Sequence, residues 1–432
     1  MNILIVTPFY KHDRNIASVR WTNIATRLAK RHNVIVVTQP HDDMDMTREI
    51  SKDEDGILVA RLNQKTSYEL FAVKHFGGAT GDDWQTSGGT EETDAVPHDG
   101  LVRKVKNHAL FLSMQQKAKA YAKDIIKNVI PKDVKIDVVI SSACPFIEML
   151  FGYELKKRLH CKWISDFRDL PFTDDRPHDA QRMKKRMQRR LKHAEAVITI
   201  AHFGKTFLSD GIVEDADKIH VITNGFSMTD ASEPEQQDDG VLHIVHTGSL
   251  YGGTRKADLL FKATLAAKEA NPSFCYTLEC AGGNNETLIE TAKQYGEDGF
   301  VHNRGFVPRD EALAMQRSAD LLLALVINRP GSLVAKMFEY ILNRKPVVCI
   351  SRGKDFCSEE TNFVEKLRLG VAVEEFQTDA VERLRDYLLM QFERKLAHEP
   401  MLYDPDTEEI RQYDHDQIVK RIEALCEAVA KA

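Results

Sequence analysis

The sequence predicts an α/β protein built from two doubly wound, Rossmann-like domains, and three observations support this prediction. The chain has 432 residues, more than one small domain needs, and 43% of them are hydrophobic, so two cores can be filled. Short apolar strands alternate with helical patterns along almost the whole chain, as in parallel sheets that helices cover on both faces. The alternation falls into two series, which an acidic, apolar-poor stretch at about residues 230–240 separates.

The first series starts at the N-terminus with a strand over residues 2–7, a helix from about 17 to 30 and a strand over 33–38. Strand–helix–strand order of this kind is typical of a doubly wound parallel sheet. Further strands of the series are predicted at residues 136–141, 162–165 and 196–201. We assign residues 1–205 to this N-terminal domain.

The second series repeats the pattern and defines a C-terminal domain over residues 225–405. Its predicted strands are 242–247, 275–280, 320–325 and 346–350. The helical patterns between them cover 256–270, 286–294, 309–317 and 334–342. Apolar runs of four to eight residues that alternate with longer amphipathic segments favour a second parallel sheet.

Two segments lie outside the alternation. Residues of about 77–100 are rich in Gly, Thr, Asp and Ser, with little to bury, and are predicted to form a mobile insertion in the first domain. A last helix, from about 416 to 430 within the segment 410–432, has apolar residues near helical spacing at Ile418, Ile422, Leu425 and Val429. This helix is predicted to dock on a domain surface.

The composition argues against several classes of protein. A net charge of −6 is unlike the basic footprint of a general nucleic-acid binder. Seven dispersed cysteines without a C-x-x-C pair are typical of reduced thiols, and no apolar run approaches the length of a membrane span. The N-terminus leads directly into a strand without a basic region or cleavage site, so we expect a cytoplasmic protein. Asp-x-Asp triplets fall in acidic connecting segments, so no metal and no other cofactor is expected.

The segment from Gly331 to Pro346 is the most informative part of the chain. It follows a buried-looking strand and reads Gly331-Ser332-Leu333-Val334-Ala335-Lys336, with Glu339 three residues further on. Lys336 and Glu339 share a helix face, and the amides of a helix start attract phosphate. This pattern suits a nucleotide sugar, whose diphosphate would meet Lys336 and whose ribose would meet Glu339. The alternative is an ordinary amphipathic helix after an ordinary turn.

Two further loops follow strands of the second series. The first reads His246-Thr247-Gly248-Ser249-Leu250-Tyr251, with Arg255 before the next helix, and can supply a second cation to the same diphosphate. Its alternative is a tight turn whose basic residues face water. In the other loop, Gly305-Phe306-Val307-Pro308, the backbone of Val307 can contact a base edge. That loop can equally be a plain turn before a helix.

The first domain has its own charged strand end, Asp166-Phe167-Arg168-Asp169. Carboxylates that flank an arginine suit proton transfer or the orientation of a hydroxyl, and the alternative is a salt-bridge set that fixes the loop. No G-x-G-x-x-G follows the first strand, which argues against a nicotinamide or flavin dehydrogenase.

Two basic segments, residues 103–127 and 181–192, are candidates for contact with an anionic membrane surface. The second carries seven cations, with Met183, Met187 and Leu191 in one inward stripe. The alternative is a solvated helix face.

Together these segments resemble the GT-B glycosyltransferases, in particular the retaining family 4 type. The family pattern Gly-x-Leu-x-x-Lys-x-x-Glu-Tyr, followed by a basic residue and Pro, is similar to the residues from Gly331 to Pro346. The matches also include Thr247–Tyr251 with Arg255, Gly305–Pro308 and Asp166–Asp169. The resemblance implies two Rossmann-like domains that face each other across a cleft, with a C-terminal helix that crosses back to the first domain.

The resemblance also implies roles for individual residues. Lys336 and Arg255 would neutralise the departing diphosphate, Glu339 would bind the ribose hydroxyls, and the backbone of Val307 would meet the base. Donor contacts would come from the glycine-rich loops, through Gly248, Ser249, Tyr251, Gly331, Ser332, Leu333 and Val334. The acceptor would bind the first domain near Asp166, Arg168 and Asp169.

The sequence departs from the family at three points, and the first is the loop after the first strand, where the family's paired glycines are missing. Gly331 stands where family members often carry a glutamate that touches the sugar, and a first-domain histidine of some members has no clear counterpart, so Asp169 is assigned to its place.

The predicted function is retaining transfer of a sugar from a nucleoside diphosphate sugar, of UDP or GDP type, to a hydroxyl of a glycan or lipid-linked acceptor. Cell-surface polysaccharide or lipopolysaccharide biosynthesis is the expected setting. Two alternatives remain: a nucleotide-sugar 2-epimerase of the same architecture, and a non-catalytic subunit that binds a nucleotide sugar.

Overall fold

A computed structural model describes residues 1–11, 18–40, 48–62, 100–143, 147–170, 177–228, 237–250, 255–327, 333–353 and 356–431, with only the backbone of 100–110 and 177–180. The segment predicted as an insertion and most of the acidic stretch at about residues 230–240 lie outside these ranges. The described residues form two compact units. The first contains the chain up to Asn224 together with the segment from His415, and the second contains Gly225–Asp414.

The helices and strands are labelled here in chain order. The strands are β1 (Asn2–Val6), β2 (Asn33–Thr38), β3 (Arg48–Lys52), β4 (Leu58–Leu62), β5 (Val138–Ala143), β6 (Lys162–Phe167), β7 (Ala196–Thr199), β8 (Ile219–Val221), β9 (Leu242–Thr247), β10 (Tyr276–Ala281), β11 (Val301–Asn303), β12 (Leu321–Ile327), β13 (Val347–Arg352) and β14 (Gly370–Glu374). The helices are α1 (Ser18–Ala29), α2 (Gly100–Asn128), α3 (Ile147–Leu159), α4 (Pro177–Leu191), α5 (His202–Ser209), α6 (Asp258–Ala270), α7 (Glu286–Gln294), α8 (Arg309–Ser318), α9 (Lys336–Leu342), α10 (Glu359–Lys366), α11 (Ala380–Leu396), α12 (Thr407–Arg411) and α13 (His415–Lys431).

The first unit is built on one sheet whose described strands run in the order β3-β4-β2-β1-β5-β6-β7-β8. All neighbours are parallel except the pair β3 and β4 at one edge. Strands such as β1 and β5 are apolar on both faces because helices cover both. On one face the C-terminal helix α13 packs beside α1, with Ile418 and Ile422 buried in the same core as Trp21 and Ile24.

The second unit is built on a parallel sheet whose described strands run in the order β11-β10-β9-β12-β13-β14. Its central strand β12 is buried along nearly its whole length, and α6 and α11 pack on the same side of the sheet. Two parallel, helix-covered sheets confirm the α/β class with two Rossmann-like domains that the sequence predicts.

A buried ion pair ties α11 of the second unit to its sheet. Lys395 of α11 lies with its Nζ 2.5 Å from Oδ2 of Asp320, which precedes β12, and both side chains are almost fully buried. The amide of His243 in β9 donates to the same carboxylate oxygen at 2.8 Å. One carboxylate therefore joins α11, β9 and the start of β12.

A search of the helices in the described ranges finds none whose length and apolar character would let it cross a lipid bilayer.

Candidate functional site

The loops that follow β9, β10 and β11 meet at one edge of the second sheet. The amide of Gly248 donates to the carbonyl of Ala281 at 2.7 Å, and the amide of Gly282 donates to the carbonyl of Gly305 at 2.8 Å. In an open parallel sheet the carboxyl ends of the strands form the usual ligand-binding edge. The glycine-rich segments that the sequence singled out are therefore neighbours at that edge.

Two of these loops touch through their main chains. A Cβ atom on Gly282, whose φ is +136°, would lie 2.2 Å from the carbonyl oxygen of Gly248. That distance is far below any van der Waals contact, and the clashing atom is backbone. Only glycine at this position lets the β9 and β10 loops lie so close together.

Lys336 is the first residue of α9 and extends toward the end of β9. Its Nζ donates to Oγ1 of Thr247 at 3.3 Å, and this is the one hydrogen bond that its ammonium makes within the described part of the chain. Burial lowers the pKa of Lys336 from 10.5 to about 8; Glu339 acts in the opposite direction, whereas Arg255 and Arg309 lower the pKa further. A desolvated ammonium with N–H groups to spare is a binding group for an anion.

Two arginines surround Lys336, and one carboxylate faces it. Arg255 donates from Nη1 to the carbonyl of Ser249 at 3.2 Å, which fixes its guanidinium on the β9 loop. Arg309, the first residue of α8, lies with Nη2 2.8 Å from Oε1 of Glu339. Among the described residues, three cations therefore gather around one carboxylate, an arrangement that can bind an anion.

A relay of buried polar groups holds Thr247 in place. Nε2 of Gln316 donates to Oγ1 of Thr247 at 2.8 Å, and Nδ2 of Asn343 donates to Oε1 of Gln316 at 2.7 Å. Gln316 lies in α8 and Asn343 directly follows α9, and both are almost fully buried. The relay couples two helices to the residue that holds the Lys336 ammonium.

The remaining residues predicted for the donor side have mixed surroundings. Leu333 is buried, Val307 is half-buried beside the strongly exposed ring of Phe306, and the amide of Val334 donates to Oε1 of Glu360 at 3.1 Å. A carboxylate therefore already occupies the Val334 amide that was predicted to attract phosphate, and α9 begins two residues later than predicted. Binding by Val334 stays a prediction. Tyr251, Gly331 and Ser332 lie outside the described residues.

In the first unit, Asp166 is fully buried at the end of β6 and fully engaged. Oδ1 accepts from Nη2 of Arg20 at 3.0 Å, and Oδ2 accepts from the indole of Trp21 at 3.0 Å and the hydroxyl of Ser142 at 2.9 Å. The sequence suggested Arg168 as the arginine of any salt-bridge set here, whereas Asp166 pairs with Arg20. A substrate contact by Asp166 stays a prediction and would compete with these protein donors.

Asp169 differs from the buried Asp166, because more than half of its side chain is exposed. Nε of Arg168 is 3.4 Å from Oδ2 of Asp169, and the Arg168 guanidinium lies over the ring of Phe9 at 5.5 Å. Asp169 is therefore the predicted first-unit carboxylate that an acceptor could reach. Its catalytic role, and substrate binding by Arg168, stay predictions.

Two residues of the second-unit cluster were not singled out by the sequence. Arg309 was interpreted only as part of a strand–turn–helix connection, and His246 only as the start of a loop. His246 lies near the carboxyl end of β9, and Arg309 lies at the start of α8. These positions are the signal by which the sequence could have identified the two residues. Within the described ranges, no group of three or more His, Cys, Asp or Glu side chains gathers to hold a metal ion.

Comparison with known proteins finds this architecture in solved structures. No protein-family model matches the chain, and no curated protein sequence does. Solved structures match over the full length. A glycosyltransferase from Rickettsia africae ESF-5 has 13% identity and a TM-score of 0.60, with 100% of this chain and 98% of that one covered.

Two further structures are similar in the same way. A sucrose-phosphate synthase from Thermosynechococcus elongatus has 12% identity and a TM-score of 0.62, with 99% of this chain and 98% of the other covered. The E. coli trehalose-6-phosphate structure bound with UDP-2-fluoro glucose has 13% identity and a TM-score of 0.66, with 99% of both chains covered. At these identities the likeness concerns the fold, and it is the GT-B fold that the sequence predicts.

Proposed function

We propose that this chain is a retaining glycosyltransferase that moves a sugar from a nucleoside diphosphate sugar, of UDP or GDP type, to a hydroxyl acceptor. The observation that carries the proposal is the partly buried Lys336 ammonium, which has one neutral hydrogen-bond partner in the described part of the chain and lies close to Arg255 and Arg309. Of the residues that the structure describes, Glu339 is the carboxylate that faces this cluster. It suits the diphosphate of a donor bound at the carboxyl edge of β9 and β12.

The chemistry follows from where charge develops. As the bond between sugar and diphosphate breaks, positive charge grows on the sugar and negative charge grows on the departing phosphate. Cations that are already in place at Lys336 and Arg255 stabilise that negative charge without reorganisation. Glu339, held by Arg309, has carboxylate lone pairs left for the ribose hydroxyls, and the Val307 backbone offers a contact to the base.

The acceptor side is assigned to the first unit. Asp169 is an exposed carboxylate at the end of β6, which suits a group that orients or deprotonates an incoming hydroxyl. A glycan or a lipid-linked glycan supplies that hydroxyl in this proposal, within cell-surface polysaccharide or lipopolysaccharide biosynthesis.

One assay separates the candidate functions. Purified protein is incubated with radiolabelled UDP- and GDP-sugars, with and without a hydroxyl acceptor, and the products are identified by NMR. Acceptor-dependent transfer with the anomeric configuration retained supports the proposal. Release of an altered free sugar without acceptor identifies the 2-epimerase alternative, and binding of the donor without turnover identifies a non-catalytic subunit.

The lowered pKa of Lys336 predicts a pH dependence of donor binding. Below about pH 8 the side chain carries its charge, and it loses that charge as the pH rises through this value. A bound diphosphate favours the charged form, so affinity should be level below pH 8 and then fall by about tenfold per pH unit. Calorimetry with UDP and GDP between about pH 6.5 and about pH 9.5 measures this. The pH profile of the affinity reports the pKa values of groups in the ligand-free protein. Constant affinity up to the highest pH would contradict it.

We also propose that the basic helix α4 contacts anionic lipid. Its Arg186 and Arg190 lie over the ring of Phe111 in α2, at 4.0 and 4.9 Å, so these two cations are partly used in packing. Arg182, Lys185 and Arg189 are exposed, and so is Leu112, which follows Phe111 in α2. Exposed cations on one helix and an exposed apolar side chain on the helix that it contacts suit a phospholipid headgroup layer. Of the predicted segment 103–127, side chains up to residue 110 lie outside the description.

Liposome flotation tests this contact. Vesicles that contain phosphatidylglycerol should carry the wild-type protein upward at low salt, and Arg182→Glu with Lys185→Glu should abolish flotation because each exposed cation near the surface contributes about 1 kcal/mol. Lys132→Glu with Lys135→Glu makes the same charge change at a loop and serves as the control. Equal flotation of both double variants would contradict the assignment to α4.

A further inference from the structure

His246 near the end of β9 is a buried histidine with one ring nitrogen in use. Its side chain is about 2% exposed, and its Nδ1 lies 2.9 Å from the carbonyl oxygen of Leu323. The hydroxyl of Tyr340 donates to the same carbonyl at 3.0 Å. A carbonyl oxygen can only accept, so Nδ1 carries the ring proton and Nε2 presents a bare lone pair.

That lone pair has no partner. Nε2 of His246 is closed to solvent and makes no hydrogen bond to any described residue. A buried acceptor without a donor destabilises the folded state, and such groups in native structures often belong to functional sites. Since Nε2 is closed to solvent, a donor from the protein itself would remove this cost.

The Lys336 ammonium is that donor by position and by capacity. A Cβ atom on Gly248 would lie 2.9 Å from Nζ of Lys336 and 3.8 Å from Nε2 of His246, so both nitrogens border the same side of Gly248. Nζ has three N–H groups and uses one of them on Thr247. Because position 248 has no side chain, nothing from that residue separates the two nitrogens.

We propose that His246 is a positioning residue for Lys336, and that its Nε2 accepts one N–H of the ammonium when an anion occupies the site. Thr247, His246 and the anion then use the three N–H groups of Lys336. The inference rests on the proposed function, because it takes the anion to be the diphosphate of the donor. His246 touches no substrate in this arrangement and acts through the lysine.

The surrounding charges keep His246 an acceptor. Burial, Lys336 and Arg255 lower the pKa of His246 to about 3, so the ring stays neutral at any working pH. The charged groups that face Lys336 are Glu339 on its own helix, Arg255 on the β9 loop and Arg309 on α8. Because Nε2 of His246 is neutral, it can accept from the ammonium without cancelling the positive charge.

Three variants test the inference. His246→Asn keeps an amide near Nδ1 for Leu323 and removes the acceptor at Nε2, whereas His246→Gln places an amide acceptor near Nε2. His243→Leu, on the same strand, is the control, since His243 contacts Thr277 and Asp239. Binding of inorganic pyrophosphate is measured by calorimetry across the pH range used for UDP and GDP, and folding is checked by circular dichroism.

The expected result is a loss of affinity that the conservative variant reverses. His246→Asn should bind pyrophosphate roughly tenfold more weakly, as a lost hydrogen bond to a charged group predicts. The pH at which its affinity begins to fall should stay that of the wild type, because the ligand-free lysine sets this pH and does not use Nε2. His246→Gln should restore most of the affinity, and His243→Leu should leave it unchanged.

The outcomes separate this inference from the proposed function. If pyrophosphate binding depends on Lys336 but is the same in His246→Asn and the wild type, the positioning role is overturned. A merely structural role would lower the melting temperature of both His246 variants, and His246→Gln would then not restore the affinity. If the wild type binds neither pyrophosphate nor a nucleoside diphosphate, the proposed function itself fails.

Discussion

Replacing Lys336 by alanine should lower the rate of sugar transfer by about a hundredfold or more, as removal of a preorganised electrostatic donor does in other enzymes. In the proposed function the ammonium lies where negative charge develops on the departing diphosphate, and its partial burial reduces the screening of that interaction by solvent. Arg255→Ala should act in the same direction. The measurement is the turnover number at saturating donor and acceptor.

Lys366→Ala is the matched control for this loss. Lys366 ends α10 and pairs with Glu409 at 2.9 Å on the surface, with more than half of its side chain exposed. Its removal should leave turnover within a factor of about two, since exposed ion pairs contribute little. Near-normal turnover in both Lys336→Ala and Arg255→Ala would reject the assignment of the diphosphate site.

Replacing Lys395 by methionine should destabilise the second unit by about 3–5 kcal/mol, the usual cost of breaking a buried ion pair from one side. The substitution removes the cation that neutralises Asp320 and leaves a fully buried carboxylate with the amide of His243 as its remaining donor. Urea denaturation followed by circular dichroism should show the loss as a lower transition midpoint.

A double variant that also changes Asp320 tests whether the unpaired charge causes this loss of stability. Asp320→Asn combined with Lys395→Met removes both charges and keeps an oxygen for the amide of His243, so much of the lost stability should return. Lys366→Met, the same exchange at an exposed pair, should change the midpoint little. An unchanged midpoint in Lys395→Met alone would show that the ion pair is not what holds α11 to the sheet.

The sequence predicts the central parallel strands closely because they are continuous apolar runs between turn residues. The predicted bounds of β2, β9 and α7 agree with the structure, and most of the other predicted elements shift by one or two residues. The parallel strands β4, β8, β11 and β14 were not predicted, and neither was β3. It is an antiparallel edge strand with mostly exposed residues, so it has no apolar run to detect.

The site was less predictable, because the decisive contacts join distant parts of the chain. The sequence places Lys336 and Glu339 on one helix, since their spacing is local. It cannot show that Arg309 pairs with Glu339, nor that Asp166 is bonded to Arg20, which lies 146 positions away. Packing of that kind depends on which loops meet at the sheet edge, and periodicity carries no information about it.

The contact between the main chains of Gly248 and Gly282 limits how this molecule can diversify. Any residue larger than glycine at position 282 would push against a carbonyl group and separate two neighbouring loops. Evolution or directed selection for a new ligand would therefore have to work through variable neighbours such as the exposed Phe306, while glycine stays at position 282. Descendants of this chain should keep these two loops together and vary the residues around them.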